Sequence, residues 1–155
     1  MSAAISYWTI SPEAVKALGA ISRYVGSCGL EPKLVNLVYL RVSQINGCAY
    51  CCDMHTHDAL EAGEKPQRLH VVAAWREADN LFNEAERAAL AWAEALTRFP
   101  DATAPVVAAR DTAWADLVKH YSEKQAVDLT FAISAMNAWN RIAIGFHRSP
   151  APRAE

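Results

Sequence analysis

At residues 48–55 the chain reads Cys48-Ala49-Tyr50-Cys51-Cys52-Asp53-Met54-His55, so three thiols and an imidazole lie within eight residues. Gly47 comes directly before this stretch, at the expected break between two helices. Successive helical residues are rotated by about 100°, which places Cys48, Cys51 and His55 on one narrow face. Cysteines at this spacing have Cα atoms about 5 Å apart, within reach of a disulfide, and both a helix N-terminus and an imidazole favour the nucleophilic thiolate. The spacing therefore predicts dithiol redox chemistry.

Two other interpretations of the cysteine cluster compete with this one. Cys48, Cys51, Cys52 and His55 are ligand types that zinc accepts, but two turns of one helix make a tetrahedral arrangement difficult. Cysteines are also common core residues, although three of them beside a histidine would be an unusual way to fill a core. Cys52 adds an ambiguity, since cysteines four residues apart can also be bridged and the spacing prefers the Cys48–Cys51 pair only modestly.

Composition limits the class of protein. The chain has 155 residues, a formal charge of −2 and 52% apolar residues, which favours one compact helical domain. The nearly balanced charge gives no excess of basic residues that would predict nucleic-acid binding. No run of apolar residues is long enough to predict a membrane span. The N-terminal residues lack the features of a secretory signal. We therefore expect a reducing cytoplasmic location, where clustered cysteines are more often catalytic or metal-binding than structural.

Helix signals recur along the whole chain, and no alternation typical of a strand extends beyond a few residues. The pattern predicts an all-α, single-domain bundle of six to seven helices over residues 1–147, with a flexible tail over 148–155. The clearest start signals are two capping boxes, Asn83 with Glu86 and Ser122 with Gln125. The predicted helices begin near Pro12 and Pro66 and cover about 33–45, 48–62, 83–98, 106–121 and 122–146, with Pro100-Asp101 in a connection.

Several further residues receive structural interpretations. Arg41 falls within the apolar stripe of the second helix, so it needs an acidic or carbonyl partner, and a structural ion pair is expected. The apolar surfaces of the second and last helices predict self-association. Cys28 is expected to be a small buried or helix-end residue. Solvated or structural roles are expected for His57, His70, His120 and His147, and core or interface roles for Trp75, Trp92, Trp114 and Trp139.

The run Leu40-Arg41-Val42-Ser43-Gln44-Ile45-Asn46-Gly47-Cys48-Ala49-Tyr50-Cys51, followed by His55 and Gly63, resembles the core of the alkylhydroperoxidase-D family. That family belongs to the carboxymuconolactone decarboxylase superfamily, and the resemblance extends over about residues 12–147. It implies an all-helical fold assembled as trimers or hexamers, and thiol-dependent reduction of hydroperoxides without a metal or flavin. It also implies recycling by a lipoyl-type dithiol on a partner protein, with a peroxiredoxin as a possible client. Cys48 and Cys51 match the redox pair, and His55 matches the proton-relay histidine.

Two positions depart from the family pattern. Asn36 stands where the best-known members have a relay glutamate, and Tyr50 stands where they have a histidine between the cysteines. Glu94 is a candidate substitute, but helical projection places it on a polar, solvated face. Both departures weaken the expected general base.

The sequence supports a specific hypothesis for the chemistry. Cys51, held as a thiolate through His55, attacks the hydroperoxide, and Cys48 then condenses with the sulfenic acid. Cys48 is expected to be the more accessible sulfur for an external dithiol, although the roles of the two cysteines could be reversed. The alternatives are a carboxymuconolactone decarboxylase-like enzyme, which does not require the cysteine pair, and a non-enzymatic redox-sensing or metal-binding module.

Overall fold

A computed structural model describes residues 5–98 and 103–152, and these residues form an all-helical domain. They contain eight α-helices and one 3₁₀ segment, with no strand in the described ranges. The α-helices are α1 (Tyr7–Ile10), α2 (Pro12–Val25), α3 (Pro32–Asn46), α4 (Ala49–Glu61), α5 (Pro66–Val71), α6 (Glu84–Thr97), α7 (Ala104–His120) and α8 (Glu123–Gly145), and the 3₁₀ segment is Val72–Glu77. The all-α prediction is confirmed, and the expected number of six to seven helices is slightly too low.

The extra element is α1, which lies outside the periodic pattern that identified the other helices. It has only four residues, too few for an amphipathic repeat. Aromatic contacts hold it in place: Tyr7 packs against Phe146, and Trp8 stacks on Trp139 with ring centroids 5.9 Å apart. The stability of α1 therefore comes from tertiary contacts with the C-terminal part of the chain, which sequence periodicity does not reveal.

Local signals set the other helix boundaries. Proline occupies the first helical position of α2, α3 and α5, where a missing N–H costs nothing. Both predicted capping boxes are present, Asn83 with Glu86 at the start of α6 and Ser122 with Gln125 at the start of α8. Helix α3 ends at Gly47, whose φ of 71° lies in the left-handed region that glycine adopts without steric cost. This turn brings the chain directly into α4.

Helix α3 lies at the centre of the bundle and packs against α4, α6 and α8. Its apolar side chains enter two separate cores, one that includes Val38 and Val42 and one that includes Leu37 and Leu40. The apolar surface of this helix, from which self-association is predicted, is therefore mostly buried within the single chain. The first core also contains Cys48, Cys51 and the inward face of α8, whereas the second is completed by these residues: Ala59, Leu69, Val72, Trp75, Phe82 and Leu90.

A buried ion cluster joins α3, α6 and the 3₁₀ segment. Arg41 Nε donates to Glu94 Oε1 at 2.7 Å, and the indole N–H of Trp75 donates to the same oxygen at 3.0 Å. Arg76 binds the other carboxylate oxygen at 2.6 Å. The ion pair expected for Arg41 is thus confirmed, but the solvated position expected for Glu94 is wrong, because that residue is only 3% exposed. Its partners come from other helices, and the projection of one helix could not show them.

The C-terminal segment is partly ordered by contacts. Helix α8 ends near Phe146, and the backbone N–H of Arg148 donates to the carbonyl of Ala143 at 2.8 Å. Residues 149–152 have no regular secondary structure. Residues 153–155, the end of the expected tail, lie outside the described residues, as do residues 1–4 and the expected Pro100-Asp101 connection. None of the described helices is long and apolar enough to cross a membrane.

Candidate active site

Cys48 is the N-cap of α4 and not its first helical residue. Its backbone is extended, with φ −84° and ψ 94°, and its Sγ accepts a hydrogen bond from the backbone N–H of Cys51 at 3.3 Å. A side-chain acceptor at this position satisfies one of the N–H groups that a helix start leaves unpaired. The sulfur is therefore held over the first turn of α4, directly beside Cys51.

Cys51 lies in the first turn of α4 and is almost completely buried, with 2% exposure. All four cysteines are free thiols. Burial raises the pKa of Cys51 to about 12, and a hydrogen bond with the Cys48 thiol acts in the same direction. A hydrogen bond from Asn140 opposes this shift by stabilising the anionic sulfur. At neutral pH the resting form of Cys51 is therefore the thiol, in contrast to the thiolate expected from sequence.

His55 lies one turn beyond Cys51 and is 5% exposed. Its Nδ1 is 3.3 Å from Asn36 Oδ1 and 3.5 Å from Asp58 Oδ2, and its ring packs against Tyr39. Both neighbouring oxygens are acceptors, so Nδ1 carries the proton and Nε2 has the free lone pair. Nε2 is buried and has no hydrogen-bond partner among the described residues. Burial lowers the pKa of His55 to about 4, so the imidazole is neutral at physiological pH.

Cys51 and His55 face one pocket of about 250 Å³. The pocket is predominantly apolar and is lined by Tyr7, Trp8, Ser22, Tyr39, Tyr50, Cys51, Met54, His55, Met136, Trp139, Ala143 and Arg148. Cys48 does not line it and is as fully buried as Cys51, with 1% exposure. The expectation that Cys48 is the more accessible sulfur is therefore wrong, because Cys51 and not Cys48 lines the pocket.

A polar layer lies behind the cysteines. Asn140 on α8 is fully buried, and its side chain accepts from Asn46 at 2.9 Å and donates to Ser43 at 3.1 Å. Asn46 also donates to Asn137 at 2.9 Å. Sequence reasoning did not assign a role to Asn140. The signal available in the sequence was an amide at a position that the helical repeat of α8 places in the core, where a polar group without a partner would be costly.

Of the remaining candidate residues, only Trp139 lines the pocket. Cys52 is half-buried beside the second core, and Cys28 donates to the carbonyl of Val25 at 3.2 Å, as expected for a helix-end residue. His70, His120 and His147 are exposed, as expected. Trp75 and Trp92 are core residues, but Trp114 is 40% exposed and Trp139 lines the pocket, so the expectation for the tryptophans is only partly confirmed.

The metal interpretation of the cysteine cluster finds no support in the geometry. Among the described residues, the group of three or more candidate ligands whose atoms converge within 4.8 Å is His57, Asp58 and Glu61. This group lies on the outer side of α4 and includes none of the cysteines. His57 is also 3.5 Å from Glu61, in an exposed ion pair. The surface position expected for His57 is thus confirmed.

The chain matches one protein family and is similar in sequence to two bacterial proteins. Residues 12–95 match the model of the carboxymuconolactone decarboxylase family. The chain is 37% identical to the uncharacterized protein YdfG of Bacillus subtilis over 153 residues, covering 99% of this chain and all of that protein. It is 30% identical to the uncharacterized protein YnjA of Escherichia coli over 108 residues, which is 70% of this chain and 56% of that protein.

Two solved structures share the fold of this chain. A protein of unknown function from Agrobacterium tumefaciens, for which a role as the antioxidant defence protein AhpD has been suggested, superposes with a TM-score of 0.88. It is 40% identical and covers 97% of this chain, and all of that protein is covered in turn. The debrominase Bmp8, in complex with 2,3,4-tribromopyrrole, shares the fold with a TM-score of 0.74 at 22% identity, over 90% of this chain and 71% of that one.

Proposed function

The chain belongs to the carboxymuconolactone decarboxylase family, and from this membership we propose that it is a thiol-dependent hydroperoxide reductase of the alkylhydroperoxidase-D type. In this proposal Cys51 attacks the peroxide, Cys48 forms the disulfide, and His55 carries the proton. The observation that carries the proposal is the arrangement of three groups. A buried thiol and an imidazole with a free Nε2 face one apolar pocket, and a second thiol lies directly behind the first.

The first step oxidises Cys51. Since its thiol is protonated at rest, His55 Nε2 accepts the thiol proton as Cys51 Sγ attacks the terminal oxygen of the hydroperoxide. The O–O bond breaks, a sulfenic acid forms on Cys51, and the leaving alkoxide takes the proton from His55 and departs as the alcohol. Asn36 and Asp58 at Nδ1 keep the imidazole in the tautomer that presents the Nε2 lone pair to the pocket.

The second step uses Cys48. Its sulfur attacks the sulfenic sulfur of Cys51, so that the Cys48–Cys51 disulfide and one molecule of water are formed. An external dithiol then reduces the disulfide and is itself oxidised. Because Cys51 faces the pocket and Cys48 does not, the dithiol attacks Cys51 in this scheme. A lipoyl-type dithiol on a partner protein is the proposed reductant, a peroxiredoxin the proposed client, and the cytoplasm the proposed location.

Self-association is part of the same proposal. Several large apolar side chains on the outer faces of α7 and α8 are exposed, among them Trp114, Val118, Val127 and Phe131. Apolar surface of this kind on a small domain is typical of a contact between subunits. We therefore propose a homo-oligomer, with a trimer or hexamer as the family resemblance implies.

The pH dependence of kcat/KM tests the role of His55. The reactive form contains neutral His55 and protonated Cys51, whose pKa values are about 4 and about 12. Peroxide reduction is therefore expected to be nearly constant between about pH 5.5 and 9 and to fall only as the pH approaches 4, where His55 becomes charged and no longer accepts a proton. Stopped-flow consumption of an organic hydroperoxide in overlapping buffers measures this profile.

The variant His55→Gln tests the same role by removing the base. Without the base, the thiolate must form by loss of a proton to water, so the rate at pH 7 is expected to fall by about a hundredfold and to rise tenfold for each pH unit. A wild-type profile that already rises steeply from pH 6 to 9 would contradict the proposed role of His55.

The position of Asn36 provides a gain-of-function prediction. Asn36→Asp places a second carboxylate beside Nδ1 of His55, in addition to that of Asp58, which makes the imidazole a stronger base. We expect kcat/KM to rise by about tenfold and the acid limb of its pH profile to move to higher pH. The control is Asn36→Ser, which keeps a small polar group without a charge. Equal rates for Asn36→Asp and Asn36→Ser would show that a carboxylate at this position does not assist the imidazole.

A further inference from the structure

The pocket beside Cys51 offers more aromatic and apolar surface than a molecule as small as hydrogen peroxide could contact. Five aromatic side chains surround it: Tyr7, Trp8, Tyr39, Tyr50 and Trp139. Trp8 stacks on Trp139 with ring centroids 5.9 Å apart, so the two indoles form one continuous aromatic wall. Aromatic walls of this type bind planar or bulky apolar groups, and a peroxide without such a group would gain nothing from them.

Arg148 is the one formally charged side chain among the twelve residues that line this pocket at neutral pH. The histidine and the thiol in the lining are neutral, because burial lowers the pKa of His55 and raises that of Cys51. The positive charge therefore has no counterion within the lining. Such a charge beside apolar walls favours an anionic group on whatever binds there.

The guanidinium of Arg148 is held in position by aromatic neighbours. Its central carbon lies 3.9 Å from the ring centroid of Tyr50 and 5.3 Å from that of Trp8. One of its N–H groups donates to the Tyr7 hydroxyl at 3.1 Å. None of the described carboxylates forms an ion pair with it, which leaves several of its five N–H donors for a ligand.

The volume limits the size of the ligand. A cavity of about 150 Å³ is enough for benzene, so 250 Å³ accommodates one ring or a short branched chain together with a few further atoms. A long acyl chain or a fused polycyclic molecule would extend beyond it.

We propose that this pocket selects small organic hydroperoxides that combine a ring-sized apolar body with a carboxylate, and that Arg148 binds the carboxylate. The apolar body lies against the aromatic lining, which leaves the hydroperoxide group directed towards Cys51. The identity of the reacting group rests on the proposed function, but recognition of an apolar carboxylate does not, because binding requires no turnover.

Binding of two isosteric probes tests this selectivity without any reaction. The probes are 4-isopropylbenzoate and its neutral analogue 4-isopropylbenzamide, titrated by calorimetry into the Cys51→Ser variant at pH 7.5. We expect the benzoate to bind about tenfold more tightly than the benzamide, as one charge-assisted pair in a partly buried site provides. Adding Arg148→Gln is expected to remove this preference, so that the two probes bind with affinities equal within about twofold.

A matched control removes a charge elsewhere. Arg23 lies on the exposed face of α2 and does not line the pocket, so Arg23→Gln is expected to preserve the tenfold preference. Equal affinity for the two probes, no binding of either, or an unchanged preference after Arg148→Gln would each overturn the proposal.

A turnover measurement separates this proposal from the proposed function. Cumyl hydroperoxide and its para-carboxylate are compared with the wild-type protein, and the carboxylate is expected to have the higher kcat/KM by about tenfold. Selective binding of the benzoate together with no reduction of either hydroperoxide would support the pocket assignment and reject the peroxidase.

Discussion

Replacement of Cys51 by serine is expected to lower the rate of hydroperoxide reduction by at least about a thousandfold, because a serine hydroxyl cannot act as the peroxide-reactive thiol. Cys51 is the sulfur that faces the pocket, so no other cysteine takes over its role in the proposed scheme. Single-turnover stopped-flow measurements with an organic hydroperoxide give this rate directly. Thiol counting with disulfide mapping, before and after one equivalent of peroxide, identifies the bond that forms.

Cys48→Ser provides a different and complementary result. Serine is a favourable N-cap residue, so this variant keeps the acceptor at the start of α4 and is expected to fold normally. It should consume one equivalent of peroxide at a near wild-type rate and then stop, with a sulfenic acid on Cys51 that dimedone traps. Cys28→Ser and Cys52→Ser serve as controls, and their turnover is expected to stay within about twofold of wild type.

Three outcomes would reject the scheme. Full single-turnover rates in both Cys48→Ser and Cys51→Ser would show that neither thiol is individually required for the reaction with peroxide. Turnover of a substrate by the double variant Cys48→Ala and Cys51→Ala would favour decarboxylase or lactone chemistry, since that chemistry does not require the sulfur pair. A disulfide that forms without repeated turnover would point instead to a redox sensor.

Glu94→Leu is expected to destabilise the protein by about 3–5 kcal/mol, the cost typical of leaving a buried charge without its partner. The Arg41 side chain is 10% exposed and that of Glu94 is 4% exposed, so water does not replace the lost carboxylate. Urea unfolding followed by tryptophan fluorescence measures the change in free energy. The exposed carboxylate of Glu61 provides the control, and Glu61→Leu is expected to change the stability by less than about 0.5 kcal/mol.

The double variant Arg41→Met with Glu94→Leu separates the contribution of the ion pair to stability from that of the packing around it. Because both charges are then removed, most of the stability lost in the single variant is expected to return. Failure of the second substitution to restore any stability would show that packing or the hydrogen bond from Trp75 causes the loss.

The same carboxylate contributes to acid unfolding. Burial raises the pKa of Glu94, but hydrogen bonds from Arg76, Trp75 and Arg41 outweigh this effect and hold the pKa below its ordinary value. A group whose pKa is depressed in the folded state stabilises the fold above its unfolded-state pKa. That contribution is lost as the pH falls through the folded-state pKa.

The features that sequence predicted correctly are local ones. The two capping boxes depend on residues three positions apart, and the glycine after α3 depends on the conformation of a single residue. The contact of Cys48 with Cys51, and the position of His55 one turn beyond Cys51, likewise follow from spacing within one or two turns of α4. Each of these signals is complete within a few residues, so the remainder of the chain does not alter it.

The features that sequence missed depend on contacts between distant segments. Glu94 was expected in solvent because one helix was considered alone, whereas Arg41 reaches it from 53 positions away in the chain. Trp139 and Arg148 line the pocket of Cys51 only because α8 folds back across α4. The pKa of a thiol depends on burial, and burial is also a property of the assembled molecule. The departure at Asn36 was visible in the sequence, but its contact with His55 was not.

The capping role of Cys48 links electron transfer to the integrity of α4. The sulfur that accepts the Cys51 N–H is the same sulfur that would be consumed when the disulfide forms, and a disulfide sulfur is a poorer acceptor than a thiol or thiolate. Oxidation would thus loosen the first turn, and reduction would tighten it again. By the thermodynamic cycle that connects folding with redox state, any such difference in helix stability must appear as an equal shift in the reduction potential of the pair.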